Sequence, residues 1–305
     1  MKIGVDAMGG DFAPGVVIEG LAQALVDFPD IEIVLAGHKE RVEFYLEKYG
    51  LTGHNRIELV HAPSVCEMSE QSAVSLRSKR DSSITALAKL LKEKKIDAMA
   101  TPGHTGATVA ATKVLVRTLP GIDRPALAAS MPCKEGRFLL MDAGANPDCT
   151  PLNLTQFALM GNVYAQYLYR RERPRIGLLS VGGEDIKGND LTKETFKRLE
   201  QLPINFIGNV EADAAFEGGV DVVVSDGFAG NVMLKGAEGL ARATVHWLKK
   251  VMTKNAVRLM GAVLAKNAFV ELKSSPIVVF CSIVGSIEKF STVSSVGECS
   301  NSSCS

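Results

Sequence analysis

Short apolar runs rich in Val, Ile, Leu and Ala alternate along this chain with longer stretches of helical periodicity. Strands that alternate with helices build βαβ units, in which helices cover both faces of a parallel sheet. The pattern therefore predicts an α/β fold with a mostly parallel sheet. We expect strands over residues 2–8, 32–36, 56–61, 98–101, 126–131, 138–142, 175–181, 205–210 and 220–225.

The stretches between these strands place apolar residues at the spacing of a helix face. We expect helices over 15–28, 82–95, 105–119 and 152–170, and Ser82 is a good N-cap for the second. No repeat or linker interrupts residues 1–273, which we expect to form one domain. Residues 274–305 hold eleven serines and are expected to be a disordered tail, in which the apolar run 277–284 could still form a strand.

Charge and cysteine content argue against several classes of protein. Lys plus Arg and Asp plus Glu both number 34, whereas a nucleic-acid binder usually carries a basic excess. The six cysteines include no CxxC pair, which disfavours a metal site, and Cys66, Cys133 and Cys149 are expected to be free thiols. We find no signal peptide and no apolar run near the roughly 18 residues of a spanning helix, and so expect a cytoplasmic or peripheral protein.

Gly-rich polar loops follow many of the predicted strands, at the sheet edge where α/β proteins bind ligands. Paired glycines and helix N-termini let backbone N–H groups approach an anion, so these loops together could build one anion-binding crevice. The HExxH, GxSxG and Walker A patterns are absent, which disfavours those enzyme classes. The loops read DAMGGD from Asp6, PGHTGAT from Pro102, DAGANPD from Asp142, GGEDIKGN from Gly182 and DGFAGNV from Asp226.

A few side chains in and near these loops suggest chemistry by their type. His104 is a general acid or base, Asn146 can donate an amide hydrogen bond, and Lys187 can neutralise phosphate or a developing oxyanion. The basic cluster at 77–83 precedes a helix and can bind phosphate groups.

Each of these segments also has a purely structural alternative that the sequence leaves open. Polar residues at helix starts serve as N-caps, and the capping candidates are Asp11, Thr105 and Asn231. Lys187 is alternatively a surface lysine paired with Glu184 or Asp185. The loop after Asp142 is alternatively a simple turn, and the basic cluster an exposed charged turn.

Six segments, 6–11, 77–83, 103–107, 142–146, 183–189 and 226–231, resemble in order and spacing the PlsX family of phosphate acyltransferases. This resemblance covers residues 1–273 and implies a three-layer α/β/α fold like that of isopropylmalate and isocitrate dehydrogenases. It implies transfer of a fatty acyl group from acyl carrier protein to inorganic phosphate, giving acyl phosphate for phospholipid synthesis. It also implies a homodimer, no metal or cofactor, and peripheral membrane association.

Two departures from the family pattern stand out. Many relatives are expected to have Asn where this chain has His104. The family normally continues with a Gly-rich segment that ends in a His-Gly pair and then a final helix, and residues 274–305 show neither.

Phosphate is already a nucleophile at neutral pH, so the protein must mainly orient it and stabilise the tetrahedral oxyanion. We expect Lys187 and Asn231 to supply these donors as catalytic residues. Asp6 and Asp226 are expected to orient donors, because a bare carboxylate repels phosphate. The expected substrate-binding set is Asp6, Gly9, Gly10, Arg77, Ser82, Ser83, Gly103, His104, Thr105, Gly106, Asp142, Asn146 and Asp226.

The segment 235–273 carries eight Lys or Arg against two acidic residues, Glu238 and Glu271. With its apolar faces it predicts an amphipathic helical hairpin that contacts anionic lipid or docks the acidic carrier protein, or else a dimer or core helix with a basic outer face. Three rival functions remain: a phosphate acetyltransferase using coenzyme A, an NAD-dependent decarboxylating dehydrogenase, and an inactive binding or membrane-adaptor protein.

Overall fold

The computed structural model describes residues 1–66, 79–134 and 136–268 and the backbone of 280–284. It divides into two compact units, Met1–Thr118 and Leu119–Ser305. The boundary between the two units lies within residues 1–273, which the sequence analysis expects to form one domain. The extent of that domain stays a prediction. The disorder expected over 274–305 lies outside the described residues, apart from 280–284.

The first unit alternates strands and helices along its described length. Its elements are β1 (Lys2–Asp6), α1 (Gly15–Asp27), β2 (Glu32–Gly37), α2 (Lys39–Lys48), β3 (Ile57–His61), α3 (Ser83–Lys92), β4 (Ala98–Ala100) and α4 (Thr105–Ala111), which continues as a π-helical turn over Thr112–Val116.

The sheet of the first unit has the order β3-β2-β1-β4, and all its strands are parallel. Alternate residues of β2 enter different clusters: Ile33 and Leu35 pack with α1 and α2, while Val34 packs with α3. Both faces are therefore covered by helices. The chain leaves β1 toward β2 on one side, and β4 lies on the other, so the carboxyl ends of β1 and β4 form a topological switch point.

The second unit repeats this alternation. Its elements are β5 (Ala126–Cys133), β6 (Gly136–Met141), α5 (Pro151–Leu168), β7 (Ile176–Leu179), α6 (Asp190–Leu199), β8 (Phe206–Val210), α7 (Ala212–Glu217), β9 (Val222–Val224), α8 (Gly227–Met252), α9 (Ala256–Leu264) and β10 (Phe280–Val284).

The second sheet has the order β10-β5-β6-β9-β7-β8. Strands β6, β9, β7 and β8 are parallel, whereas β5 pairs antiparallel with both β6 and β10. This mixed edge departs from a wholly parallel pattern because only two residues separate β5 from β6, and parallel strands need a much longer connection. Leu139 packs with Phe157 of α5, and its neighbour Leu140 with Leu234 of α8, so helices again cover both faces.

Most of the elements predicted from sequence are confirmed. Each predicted strand is present, with ends that differ by at most a few residues, and residues 280–284 of the apolar run at 277–284 form β10. Ser82 caps α3 by accepting a hydrogen bond from the Thr85 N–H. The helix predicted to reach residue 119 ends earlier, because Arg117 adopts a φ of 72°, which no helix accommodates.

An ion pair between the buried carboxylate of Asp221 and the partly exposed guanidinium of Arg175 joins the starts of β7 and β9. The Asp221 carboxylate accepts hydrogen bonds from the Arg175 backbone N–H at 2.8 Å and from its Nε and Nη2 atoms at 3.0 and 3.2 Å. The guanidinium of Arg171 lies 3.7 Å away. Burial alone would raise the pKa of Asp221, but the hydrogen bonds and charges of the two arginines outweigh it and hold this pKa below its usual value.

We predict that Asp221→Asn lowers the free energy of unfolding by about 1.5–3 kcal/mol at pH 7, because a charged hydrogen-bond partner is lost inside the sheet. The folded-state pKa is the lower one, so this stabilisation is complete above the unfolded-state pKa of about 4 and disappears as the pH falls through the folded-state value. Urea denaturation of both proteins should therefore converge in acid.

Glu217→Gln is the matched control, since Glu217 pairs with Lys134 on the surface and both side chains are more than half exposed. It should leave the urea midpoint nearly unchanged. An equal loss in the two variants at pH 7 would contradict a special role for Asp221.

Candidate functional site

In the first unit, a buried carboxylate joins the loops that follow β1 and β4. Asp6 ends β1, and its carboxylate accepts hydrogen bonds from the Met8 N–H at 3.0 Å and from the Thr101 hydroxyl at 2.7 Å. The Thr101 oxygen in turn accepts the Gly103 N–H at 3.0 Å. Thr101, which the sequence analysis did not single out, is thus the link between the two loops at the switch point.

The same two loops approach so closely that no side chain fits between them. A Cβ on Gly9 would lie 2.6 Å from the backbone nitrogen of Gly103 and 2.9 Å from Oδ2 of Asp6. Gly10 adopts a φ of +86°, where other residues are strained. Close packing at Gly9 and the positive φ at Gly10 therefore require glycine at both positions, whether or not they also bind substrate.

His104 is the N-cap of α4, so the alternative that Thr105 caps this helix is wrong. The His104 Nδ1 atom accepts the Ala107 N–H at 3.1 Å, which places the proton of a neutral ring on Nε2. Among the N–H groups of 103–106 expected to cradle phosphate, that of Gly103 already donates to Thr101. The phosphate contacts of Thr105 and Gly106 stay predictions.

The other candidates of the first unit are placed as follows. Asp11 does not cap α1, whose N-cap position is Pro14 and which has no side-chain cap. Ser82 and Ser83 are buried, and the Ser82 hydroxyl lies 2.9 Å from that of Thr85. Arg77 lies outside the described residues. Phosphate binding by this cluster stays a prediction, and for Ser82 it would have to compete with capping.

In the second unit, one buried carboxylate shapes the loop after β6. The Asp142 side chain accepts the backbone N–H groups of Leu127, Gly144 and Ala145 at 2.9, 3.2 and 3.1 Å. It also accepts the backbone N–H of Asn146 at 2.7 Å and its amide Nδ2 at 2.8 Å. These bonds wrap the loop around a single carboxylate that solvent does not reach.

The Asn146 amide is fully engaged inside the protein. Besides its bond to Asp142, Nδ2 donates to the Pro125 carbonyl at 2.8 Å, and the residue is buried. An amide has two N–H donors, and both are used here. Asn146 and Asp142 therefore organise the loop, and donation of an amide hydrogen bond from Asn146 to substrate would require one of these bonds to break.

The start of α8 rests on this loop with no space between them. The Gly227 N–H donates to the Asn146 carbonyl at 2.8 Å. A Cβ on Gly230 would lie 1.9 Å from the Asp142 carbonyl oxygen, so only glycine fits there. The N-terminus of this 26-residue helix, with its positive partial charge, is thereby held at the carboxyl edge of the sheet.

Asp226 caps α8 by accepting the Ala229 N–H at 2.9 Å, so the alternative that Asn231 is the cap is wrong. Asn231 lies one turn into the helix and is exposed, with its side chain beside Gly144. Its amide makes no side-chain hydrogen bond within the described residues, which leaves both donors available to a ligand.

Lys187 is exposed on the loop after β7, the strand that pairs with β9. Its aliphatic stem lies against Gly182, whose Cβ would be 3.0 Å from the Lys187 Cγ atom. Within the part of the chain that the structure describes, its ammonium forms no ion pair, so the alternative that it pairs with Glu184 or Asp185 is wrong. A role with phosphate or an oxyanion stays a prediction.

The thiol of Cys149 contacts the loop that Asp142 organises. Its Sγ atom donates to the Asn146 carbonyl at 3.2 Å, and burial, helped by Asp142 and Asp226, raises its pKa to about 11. A thiol nucleophile must ionise to attack, so Cys149 is unsuited to carry an acyl group at neutral pH. Cys66, Cys133 and Cys149 are free, as expected from their spacing.

Among the described residues, no group of three or more His, Cys, Asp or Glu side chains is arranged to hold a metal ion. None of the described helices is long and apolar enough to cross a membrane.

Two solved structures share the fold of this chain. A phosphotransacetylase from Streptococcus pyogenes aligns with a TM-score of 0.59 and 19% identity, over 79% of this chain and 82% of that one. The EutD phosphotransacetylase from Staphylococcus aureus aligns with a TM-score of 0.56 and 20% identity over the same shares. At this identity the likeness concerns the fold alone, and it places the chain in the α/β class to which phosphotransacetylases belong.

Sequence comparison identifies the family. A family model described as "Fatty acid synthesis protein" matches residues 1–276. The phosphate acyltransferases of Bacillus pumilus and Bacillus licheniformis are 42% and 44% identical to this chain over 275 residues, which is 90% of it and 81% and 82% of those proteins. The chain belongs to the PlsX family of phosphate acyltransferases, and the resemblance of its six motifs is confirmed.

We predict that Gly230→Ala lowers the free energy of unfolding by about 1–3 kcal/mol, because its methyl group must displace the Asp142 loop. It should also reduce acyl phosphate formation, since Asn231 and the helix start move with it. Thermal melting and turnover are measured on the same preparation.

Gly236→Ala is the control on the same helix, because a Cβ there meets nothing within 4 Å. It should keep activity and raise the melting temperature slightly, as alanine is the better helix former. Equal melting temperatures for the two variants would contradict the close approach at Gly230.

Proposed function

We propose that this chain transfers a fatty acyl group from acyl carrier protein to inorganic phosphate, giving acyl phosphate for phospholipid synthesis. The observation that carries this proposal is the match of residues 1–276 to the family, with phosphate acyltransferases at 42–44% identity. The rival reading as an NAD-dependent dehydrogenase has no support among these relatives.

The reaction needs little from the protein beyond orientation and charge. A phosphate oxygen attacks the carbonyl carbon of the thioester and forms a tetrahedral oxyanion. The C–S bond then breaks, and the pantetheine sulfur leaves as a thiolate that takes up a proton. Since phosphate is itself the nucleophile, the transfer needs no acyl-enzyme intermediate.

Lys187 and Asn231 are the groups best suited to hold the charge that develops. Both are exposed at the carboxyl edge of the second sheet, and neither is used in a side-chain hydrogen bond or ion pair within the described residues. Lys187 supplies a positive charge and Asn231 two neutral donors, the chemistry that stabilises phosphate and an oxyanion. Asp226 and Asp142 fix the helix and loop that carry Asn231.

We predict that Lys187→Ala and Asn231→Ala each lower kcat by about 10²-fold, the usual cost of losing one oxyanion donor. The assay combines palmitoyl-acyl carrier protein with phosphate and traps acyl phosphate with hydroxylamine. Lys193→Ala, which removes another exposed lysine just beyond this loop, is the control and should keep full activity.

The same assay separates the rival functions. Palmitoyl-coenzyme A or acetyl-coenzyme A as the better donor would favour the coenzyme A-dependent alternative. Absence of phosphate-dependent product from a protein that melts cooperatively would favour the inactive binding or adaptor alternative. Normal turnover by both Lys187→Ala and Asn231→Ala would contradict the roles assigned to these residues.

We further propose a cytoplasmic homodimer that touches the inner face of the membrane through α8 and α9. Together these helices expose a broad apolar surface, and no residue of α9 is buried. Basic side chains on the same segment suit anionic lipid. From residue 240 onward, the large exposed apolar side chains of these helices are Leu240, Val245, Trp247, Leu248, Val251, Val257, Leu259, Met260, Val263 and Leu264.

We predict that the protein floats with vesicles rich in phosphatidylglycerol and that Val263→Glu abolishes flotation, because a carboxylate is repelled by anionic lipid. Val26→Glu, at a similarly exposed valine of α1, is the control and should float normally. Protein that stays wholly in the soluble fraction would count against lipid contact. Light scattering of both variants then reports whether the same helices hold the dimer together.

A further inference from the structure

We propose that Asn209 is a positioning residue that holds the Lys187 loop in place for the transfer reaction. This inference rests on the proposed function, because it gives Asn209 its effect through Lys187. Asn209 lies on β8 and is 8% exposed, and its Nδ2 donates to the Glu184 carbonyl at 2.8 Å. The backbone N–H of Lys187 donates to the same carbonyl at 3.0 Å. One oxygen thus connects a buried amide of the sheet to the turn that presents Lys187.

The direction of the Asn209 side chain depends on a bulge in β8. Ile176 of β7 pairs with Phe206, but Leu178 pairs with Asn209, so β8 contains one extra residue between these pairs. Gly208, at the bulge, has a φ of +95°. Phe206 and Val210 would face the same side of a regular strand, yet they pack in opposite clusters. Bulges of this kind redirect a side chain, and here the redirected side chain is Asn209.

The side chains of Asn209 and Ser180 form the floor of the Lys187 loop, and each has a buried oxygen without a hydrogen-bond partner. Only three buried side-chain atoms lack a hydrogen-bond partner among the described residues, and two of them, Oδ1 of Asn209 and Oγ of Ser180, belong to this floor. A Cβ on Gly188, at the far end of the loop, would lie 3.0 Å from the Ser180 oxygen. Unpaired buried polar atoms are costly, so an apolar residue at 209 would serve stability better. The hydrogen bond that Asn209 donates to the Lys187 loop explains why an amide occupies this buried position.

The decisive substitution is Asn209→Asp, which keeps the shape but replaces the N–H donor with a carboxylate that cannot donate to the Glu184 carbonyl. We expect it to lower kcat/KM by about tenfold in the wild-type background and by less than about twofold beside Lys187→Ala, because coupled residues are non-additive. Asn209→Gln keeps a donor, and the adjoining cavity of about 230 Å³ has room for one methylene, so it should restore much of the activity.

The control is Asn205→Asp at the opposite end of the same strand. Asn205 also donates its Nδ2 to a backbone carbonyl, that of Arg173, at 3.3 Å, but it lies away from the loop. Its substitution should leave kcat/KM unchanged. Equal factors for Asn209→Asp in both backgrounds, or a defect in Asn209→Gln as large as in Asn209→Asp, would overturn the proposal.

A second readout does not depend on turnover. Hydrogen exchange at the Lys187 backbone amide should become faster in Asn209→Asp and stay unchanged in Asn205→Asp. Unchanged exchange in Asn209→Asp would overturn the proposal whatever the kinetics. If the wild-type protein forms no acyl phosphate, the proposed function fails, and exchange alone then decides whether Asn209 holds the loop.

Discussion

The site of the second unit depends on one buried carboxylate. Asp142 receives five hydrogen bonds from nitrogen atoms, and these bonds fold the loop after β6 into the surface on which α8 begins. Because the loop is held from inside, the helix can sit against it at Gly227 and Gly230 without any side chain between them. The position of Asn231 is a consequence of that packing.

In the first unit, a buried carboxylate at the end of β1 likewise holds the neighbouring loops. Asp6 gathers the Met8 N–H and the Thr101 hydroxyl, and glycines allow the two loops to touch. In both units the buried carboxylates therefore act on the protein itself. This arrangement suits an enzyme for phosphate, because a carboxylate engaged by backbone N–H groups does not repel the substrate as an exposed one would.

Lys187 and Asn231, which are proposed to contact the substrate, are exposed, whereas the carboxylates that shape the loops are buried. Lys187 stands on a loop to which the buried amide of Asn209 donates a direct hydrogen bond. A lysine that neither pairs nor packs its ammonium keeps its charge for a ligand. Its position depends in part on the hydrogen bond from Asn209 to the Glu184 carbonyl, which explains the effect expected of Asn209.

The sequence by itself determined the elements and the family, because apolar periodicity and glycine-bounded strand ends are local features and six ordered motifs are specific. It also located the loops, since ligand loops follow parallel strands. Tertiary structure decided which residues of those loops serve the fold. Whether Asn146 can reach a substrate, or His104 caps a helix, depends on partners distant in sequence or on local geometry that periodicity does not report. The sequence did not indicate a role for Asn209 for the same reason, because that role depends on the bulge in β8 and on the Glu184 carbonyl in the loop after β7.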